Sequence, residues 1–201
     1  VGHAKTLGYE PRSARAPRAE VNITLNDTAL GTATMNAGTA FTSTINNVEY
    51  RFVTTAAHTA TQTGTGLPFT SIPIFEGTYV TTRYTVDTSN LNQRFLLTDN
   101  KSDTTTLTVK VQNSSTDSTT VTYTKAEDIT QLTGSSSVYF LQEVEDGLFE
   151  VYFGDGVVSK AVLDGNIVIL QYVVTNKSEA NGASSFTSPS SIDSVTGITV
   201  T

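Results

Sequence analysis

The sequence contains no cysteine and no tryptophan, and it has few charged residues. Without cysteine there is no disulfide, thiolate nucleophile or zinc–thiolate site, so redox chemistry is excluded. Charged residues make up 15% of the chain and the formal net charge is −7, which argues against a nucleic-acid-binding protein with a basic face. No apolar run approaches the roughly 20 residues that cross a bilayer, and we expect no membrane segment.

Residues that favour helices are sparse, whereas the chain contains 37 Thr and 19 Ser among its 201 residues. This composition predicts strands and turns, in one sizeable β domain or two small ones. The first residue is Val rather than Met, so we expect a fragment or a processed product of a longer protein. The predicted fold class is all-β, an antiparallel sandwich-like domain or two β lobes, with an N-terminal extended arm.

Charge is distributed unevenly along the chain. Residues 1–18 have a net charge of +3, so residues 19–201 carry −10. We predict a basic N-terminal arm or helix-end junction at 1–20, a β-rich domain at 21–176 and a Ser/Gly-rich linker with a terminal strand at 177–201. Within the β-rich domain, 74–155 is a candidate separate lobe.

Two hairpins are indicated by their turn residues. Asn46-Asn47 predicts a two-residue turn that pairs Ile45 with Val48 and Phe41 with Phe52. Asp146-Gly147 predicts a second tight turn. It would pair Val144 with Phe149 and place Glu143 opposite Glu150, a like-charge contact that leaves a longer bulged turn as the alternative.

Other segments complete the strand prediction. We expect a surface loop at 54–72, strands at 74–86, 105–112 and 119–124, a central strand at 167–174 covered on both faces, and a last strand at 198–201. The predicted core consists of Phe41, Ile45, Val48, Phe52, Phe140, Val151, Phe153, Ile167, Ile169 and Tyr172.

No catalytic, cofactor-binding or metal site is predicted. His3 and His58 lack a nucleophile elbow. The acidic loop Asp99–Asp103 lacks the glycine of a calcium loop and has Lys110 where that loop needs Glu. Gly154-Asp155-Gly156 resembles part of a phosphate-binding loop without the following Gly-Lys-Ser/Thr. Should a metal be bound, Asp99, Asp103 and Asp155 are the residues to test.

Three segments, GYEPRSARAPRAEVNITL at 8–25, EGTYVTTRYTVD at 76–87 and YFLQEVEDGLFEVYFGDGVVSKAVLDGNIVILQYVVTNKSEANGA at 139–183, carry a family resemblance. They resemble the baseplate wedge proteins of T-even-type contractile-tail phages, within the baseplate J-like group. Ser159 departs from the pattern, which would have Gly there. The resemblance implies a structural protein of the virion tail baseplate, assembled in the host cytoplasm, with other wedge and hub proteins as partners and a homodimer within the wedge.

Candidate partner contacts are Arg12, Arg15 and Arg18 in the basic arm. Candidate structural turns are formed by Asp146, Gly147, Gly154, Asp155, Gly156 and Gly165. The alternative function is an extracellular adhesin or carbohydrate-binding β domain, which the Thr-rich strands and acidic charge would also fit, although the absence of Trp disfavours a sugar platform.

Overall fold

The computed structural model describes residues 12–127 and 129–201, and nearly all regular structure in them is β-strand. The strands, numbered in chain order, are β1 (Arg18–Leu25), β2 (Thr32–Met35), β3 (Ala40–Ile45), β4 (Val48–Val53), β5 (His58–Thr61), β6 (Leu67–Glu76), β7 (Thr78–Thr85), β8 (Phe95–Leu97), β9 (Ser102–Gln112), β10 (Thr120–Lys125), β11 (Val138–Glu143), β12 (Phe149–Tyr152), β13 (Ile167–Val174) and β14 (Ile198–Val200). Short 3-10 turns lie at Ile129–Gln131, Glu145–Gly147 and Lys177–Ala180. The predicted all-β fold is confirmed. Across the described ranges, no helix is long and apolar enough to cross a membrane.

The chain divides into two compact units. The inserted unit contains Thr81–Gln171 and, of the described N-terminal residues, 12–14. The terminal unit contains Arg15–Val80 and Tyr172–Thr201. The boundaries between them fall inside β7 and β13. Independent folding of a lobe at 74–155 stays a prediction.

The terminal unit is built on a five-stranded sheet in the order β14-β1-β6-β4-β3, with β2 and β5 forming a separate antiparallel pair. In β1, Val21, Ile23 and Leu25 are buried, as their alternation with polar residues predicts. The strand begins at Arg18, three residues before the predicted start. The core of this unit consists of Val21, Ile23, Leu25, Ala33, Met35, Phe41, Phe52, Ala60, Leu67, Phe69, Ile72, Ile74, Ala180, Ile192 and Val195.

The hairpin at Asn46-Asn47 has the predicted register. Ile45 pairs with Val48 and Phe41 with Phe52, and both asparagines have positive φ, 50° and 63°. Val48 is nevertheless 50% exposed, so its place in the predicted core is wrong. Strand β6 pairs with β4 only at Phe52 and Val53, near the far end of the hairpin, so Val48 has a sheet neighbour on the β3 side alone.

The predicted loop at 54–72 is wrong, because most of it forms β5 and the first half of β6. Leu67 and Phe69 are buried, and they alternate with exposed Pro68. Pro68 and Pro73 obscured this alternation in the sequence. The predicted strand at 74–86 is divided at Gly77, where β6 ends and β7 begins.

The inserted unit contributes to a seven-stranded sheet in the order β7-β13-β9-β10-β11-β12-β8. The predicted hairpin of β9 and β10 is present, with Thr120 paired to Gln112. Strands β10 and β11 are parallel, which departs from the antiparallel prediction. Strand β13 is interior, as predicted, but it lies second in the order rather than at the centre.

Aromatic side chains fill much of the core of the inserted unit. The ring of Phe153 makes edge-to-face contacts with Phe95 at 5.7 Å and with Tyr123 at 5.4 Å. Of the predicted core, Val151 and Ile169 are buried, as is Tyr172 in the terminal unit. The remaining predicted members are half-buried: Ile45, Phe140, Phe153 and Ile167.

The hairpin of β11 and β12 is confirmed, but its predicted register is wrong by one residue. Glu143 pairs with Phe149 and Gln142 with Glu150, because the turn spans Val144 to Leu148 rather than two residues. This longer turn is the alternative that the like-charge pair suggested. It sets a neutral amide opposite Glu150.

The Ser/Gly-rich segment after Asn176 is part of the terminal unit and packs against the other residues of that unit, although its composition predicted a linker. Ile192 is 3% exposed, and the ring of Phe186 contacts Phe52 edge-to-face at 5.0 Å. Thr187 exchanges two backbone hydrogen bonds with Thr42 of β3. This mostly polar segment is thus held in place by a few apolar side chains, including Phe186 and Ile192.

Candidate functional surfaces

The three arginines predicted to contact partners lie on the segment that leads into β1, and all are exposed. Arg18 Nη2 lies 2.6 Å from Glu20 Oε1, and both side chains are about half exposed, at 54% and 51%. Within residues 12–127 and 129–201, neither Arg12 nor Arg15 has an ion-pair partner. Their guanidinium groups are therefore accessible to carboxylates of another protein.

Hydrogen bonds fix the described end of the predicted arm. The Ser13 hydroxyl accepts the Thr104 N–H at 3.1 Å, and the Pro17 carbonyl accepts the Glu76 N–H at 2.9 Å. Residues 12–17 contain no helix or strand, as predicted for an extended segment. Residues 1–11 of the arm, including His3, lie outside the described residues.

The turn between β11 and β12 has two consecutive residues with left-handed backbone. Asp146 has φ 60° and Gly147 φ 73°. Asp and Gly thus occupy positions with positive φ, which these residue types tolerate. Glu145 and Asp146 are exposed at the tip. The turn therefore presents two carboxylates to solvent.

Behind this tip, a carboxylate of β12 is paired with a guanidinium group. Glu150 Oε2 accepts hydrogen bonds from Arg94 at 3.0 Å and from the Gln142 side chain at 3.2 Å. The hydrogen bond and the charge of Glu150 raise the pKa of Arg94. This contact links Arg94, the residue before β8, to β11 and β12.

The turn Gly154-Asp155-Gly156 follows β12. Asp155 Oδ1 accepts the Val157 N–H at 2.9 Å, and this bond to the carboxylate lowers the pKa of Asp155. The Asp155 carboxylate thus closes its own turn. A Cβ at Gly154 would overlap Ser159 Oγ, so glycine is required there by space.

Ser159 is fully buried, and its hydroxyl has no hydrogen-bond partner among the residues the structure describes. Its carbonyl accepts the Gly156 N–H at 2.9 Å. Ser159, which stands where the family pattern would have Gly, therefore packs directly on the turn. Gly165, with φ 76°, turns the chain before β13, and its N–H donates to Val86 at 2.9 Å.

The acidic residues weighed as metal ligands serve local turns. Asp99 Oδ1 accepts the Lys101 N–H at 2.7 Å, and Asp103 Oδ1 accepts the Thr105 N–H at 2.9 Å. No group of three potential ligands converges anywhere in the described chain. His58 lies in β5, opposite Met35, rather than in a loop.

One site was missed at the sequence level. The Glu76 carboxylate is 1% exposed and accepts three hydrogen bonds: Oε2 from the Thr175 hydroxyl at 2.7 Å and the Asn176 N–H at 2.9 Å, and Oε1 from the Asn176 side chain at 2.8 Å. Next to it, Gly77 has φ 128°, and a Cβ there would overlap the Val174 carbonyl oxygen. We call Glu76, Gly77, Thr175 and Asn176 the Glu76 clamp.

The clamp joins two of the segments that carried the family resemblance. Glu76 and Gly77 open EGTYVTTRYTVD, and Thr175 and Asn176 lie in the segment 139–183. No local pattern in the sequence marks this site, because Glu76 and its partners are 99 and 100 residues apart in the chain. Their chemistry indicates a structural contact.

The family model "Bacteriophage baseplate wedge protein gp6, third domain" matches residues 78–183. The chain belongs to this family. The match extends from the start of β7 past β13 and so includes the whole of Thr81–Gln171 of the inserted unit. The resemblance to baseplate wedge proteins is thereby confirmed.

Among curated proteins, this baseplate wedge chain is similar to baseplate wedge protein gp6 of Enterobacteria phage T4. The two are 32% identical over 81 residues, which represent 33% of this chain and 12% of the T4 protein. The chain thus spans a small part of the length of that relative. Family membership therefore concerns one domain of a baseplate wedge protein.

Proposed function

We propose that this chain acts by protein–protein contacts that hold the baseplate wedge together, and that it catalyses no reaction. The observation that carries the proposal is the match of residues 78–183 to the third domain of the gp6 wedge family. That membership favours the structural role over the adhesin alternative. The partners are other wedge and hub proteins, and a second copy of the chain forms a homodimer within the wedge.

The basic segment supplies one of these contacts. Arg12 and Arg15 are exposed and lack ion-pair partners in the described ranges, whereas Arg18 already pairs with Glu20. Planar guanidinium groups suit bidentate contacts with carboxylates of a neighbouring protein. Through such contacts the chain takes part in baseplate assembly in the host cytoplasm and in the rearrangement that triggers sheath contraction.

The test uses charge reversal, because β1 begins at Arg18 and a deletion of the whole arm would remove part of that strand. The double substitution Arg12→Glu and Arg15→Glu should weaken binding to the wedge and hub proteins of the same phage about tenfold, equal to roughly 1.4 kcal/mol. The melting temperature should change little because both side chains are exposed. Binding is measured by titration calorimetry with purified partners.

The matched control is Arg51→Glu, which reverses another exposed arginine, on β4 of the terminal unit. It should leave partner affinity unchanged. If the double variant binds as tightly as the unaltered chain, the basic segment is not a contact. If no wedge or hub protein binds the unaltered chain, the proposed function itself is wrong.

A further inference from the structure

One asparagine of the chain is followed directly by glycine. Among the 12 asparagines, only Asn181 has this neighbour, Gly182, and only Asn113 is followed by serine. The pair lies at the end of the segment 139–183 that carries the family resemblance, and the proposed protein contacts give it no role. Because glycine has no Cβ, its backbone nitrogen is the least hindered that an asparagine side chain can meet.

The Asn181-Gly182 pair is exposed directly after the 3-10 turn Lys177–Ala180. Gly182 has φ 98°, a left-handed conformation that glycine adopts readily, and a Cβ built there would meet nothing within 4 Å. Residues 181–186 belong to no strand. The pair is therefore open to water and lies outside the hydrogen-bond ladders of the sheets.

Hydrogen bonds hold the side chains of two other asparagines that are also exposed. Asn113 Nδ2 donates to Asp117 Oδ2 at 2.8 Å, and Asn176 Nδ2 donates to Glu76 Oε1 at 2.8 Å. Such a bond restricts the rotation that would bring the amide carbon to the next backbone nitrogen. Among the side chains that the structure describes, none bonds to the amide of Asn181.

We propose that Asn181 is a site of spontaneous deamidation. The Gly182 backbone nitrogen loses its proton to solvent and forms a bond to Asn181 Cγ. The bond from Cγ to Nδ2 breaks, and the amide nitrogen takes a proton from water and leaves as ammonia. Water then opens the resulting succinimide ring at either of its two carbonyl carbons. The net reaction consumes one water molecule, releases one ammonia molecule and leaves aspartate or isoaspartate at position 181.

The two products differ in their effect on the terminal unit. Aspartate keeps the length of the main chain and adds a negative charge at an exposed turn. Isoaspartate also adds one carbon atom to the main chain, between Ala180 and Ala183. Ala180 is 1% exposed, and Ala183 packs against the core of this unit, so both ends of the lengthened turn are held. Isoaspartate should therefore lower the melting temperature, whereas aspartate should change it little.

The first test follows the full 201-residue chain during incubation at mildly alkaline pH, where more of the backbone nitrogen is deprotonated. Peptide mapping by mass spectrometry measures the loss of each side-chain amide. Asn181 should lose its amide at least about tenfold faster than Asn113, a difference of about 1.4 kcal/mol in activation barrier. In water enriched in heavy oxygen, the new carboxylate should carry the isotope, because solvent opens the ring.

Incubation in urea separates the effect of the fold from that of the sequence. Unfolding removes the hydrogen bond between Asn113 and Asp117, so the reaction at Asn113 should become faster. Asn181 has no such bond to lose, and its rate should change less. The ratio of the two rates should therefore be smaller in the unfolded chain. An equal ratio in both states would contradict the selection of Asn181 by the fold.

The matched variants are Asn181→Gln and Asn181→Asp. Glutamine would need a larger ring for the same attack, so Asn181→Gln should keep its amide and its melting temperature throughout the incubation. Freshly prepared Asn181→Asp has the added charge without the extra main-chain atom, and it should melt like the fresh unaltered chain. The incubated unaltered chain should melt at a lower temperature than all of these, as circular dichroism measures.

The proposal is overturned if folded Asn181 keeps its amide under conditions in which the unfolded chain loses it. It is equally overturned if the new carboxylate lacks the heavy isotope, since the succinimide route would then be wrong. An unchanged melting temperature of a chain rich in isoaspartate at position 181 would contradict the proposed effect on the terminal unit. None of these measurements involves wedge or hub proteins, so this proposal and the proposed function can fail separately.

Discussion

Glu76 is a carboxylate buried by hydrogen bonds within the terminal unit. Its two oxygens accept from the Thr175 hydroxyl and from both nitrogens of Asn176, at 2.7–2.9 Å. Hydrogen bonds to a charged acceptor are about twice as strong as neutral ones, and a buried carboxylate is costly without them. The clamp therefore stabilises the end of β6 only when all three hydrogen bonds to Glu76 are made.

We expect Glu76→Gln to lower the free energy of unfolding by about 1–3 kcal/mol, because one oxygen acceptor is replaced by an NH2 group that faces donors. The exposed Glu49→Gln serves as the matched control and should change stability by less than about 0.5 kcal/mol. Urea unfolding followed by circular dichroism measures both. Equal stability of the two variants would show that the clamp contributes little.

Turn residues were predictable from the sequence, because their backbone requirement is local. Asn46 and Asn47, and likewise Asp146 and Gly147, have the positive φ that their residue types favour. Glu76 was not predictable in the same way, because its partners are 99 and 100 residues away in the chain. Nothing near Glu76 distinguishes it from a solvated surface carboxylate.

At the scale of elements, the turn between β9 and β10 is held by one aspartate. Asp117 accepts hydrogen bonds from the Asn113 side chain at 2.8 Å and from the Thr119 N–H at 2.9 Å. The Asn113 bond, followed by those from Thr119, lowers the pKa of Asp117 from 3.8 to about 2. A lowered pKa means that the ionised turn stabilises the fold above pH 3.8, and this contribution is lost as pH falls through about 2.

Asn113→Ala should therefore raise the pKa of Asp117 towards 3.8, because the largest stabilising contact of the carboxylate is removed. A carboxyl-carbon NMR titration measures this midpoint directly. Asp155 is an internal control, since its pKa is lowered by the backbone of Val157 and should not move. A midpoint for Asp117 that stays near 2 would show that Thr119 alone holds the carboxylate.

Hairpins were the elements that sequence patterns predicted best, because both strands and the turn are adjacent in the chain. Strand β6 was missed since Pro68 and Pro73 look like loop residues, although Leu67 and Phe69 are buried. The parallel pairing of β10 with β11 has no local signature. It is determined by the path of the chain through residues 126–137.

At the scale of the whole molecule, positive and negative charges are concentrated in different parts of the chain. The basic segment at 1–18 has a net charge of +3, while the inserted unit at 81–171 has −6. This asymmetry was visible in the sequence.

Salt should weaken the proposed contact of the basic segment. Raising the ionic strength from about 0.01 M to about 1 M shortens the screening length from about 30 Å to about 3 Å. Binding of wedge or hub proteins through Arg12 and Arg15 depends on attraction between opposite charges, so its affinity should fall.

The measurement is sedimentation velocity across this salt range, with the unaltered chain and a purified wedge partner. The double variant Arg12→Glu, Arg15→Glu should show a flat salt dependence of partner binding. An affinity of the unaltered chain that stays constant across the range would show that Arg12 and Arg15 do not carry the contact.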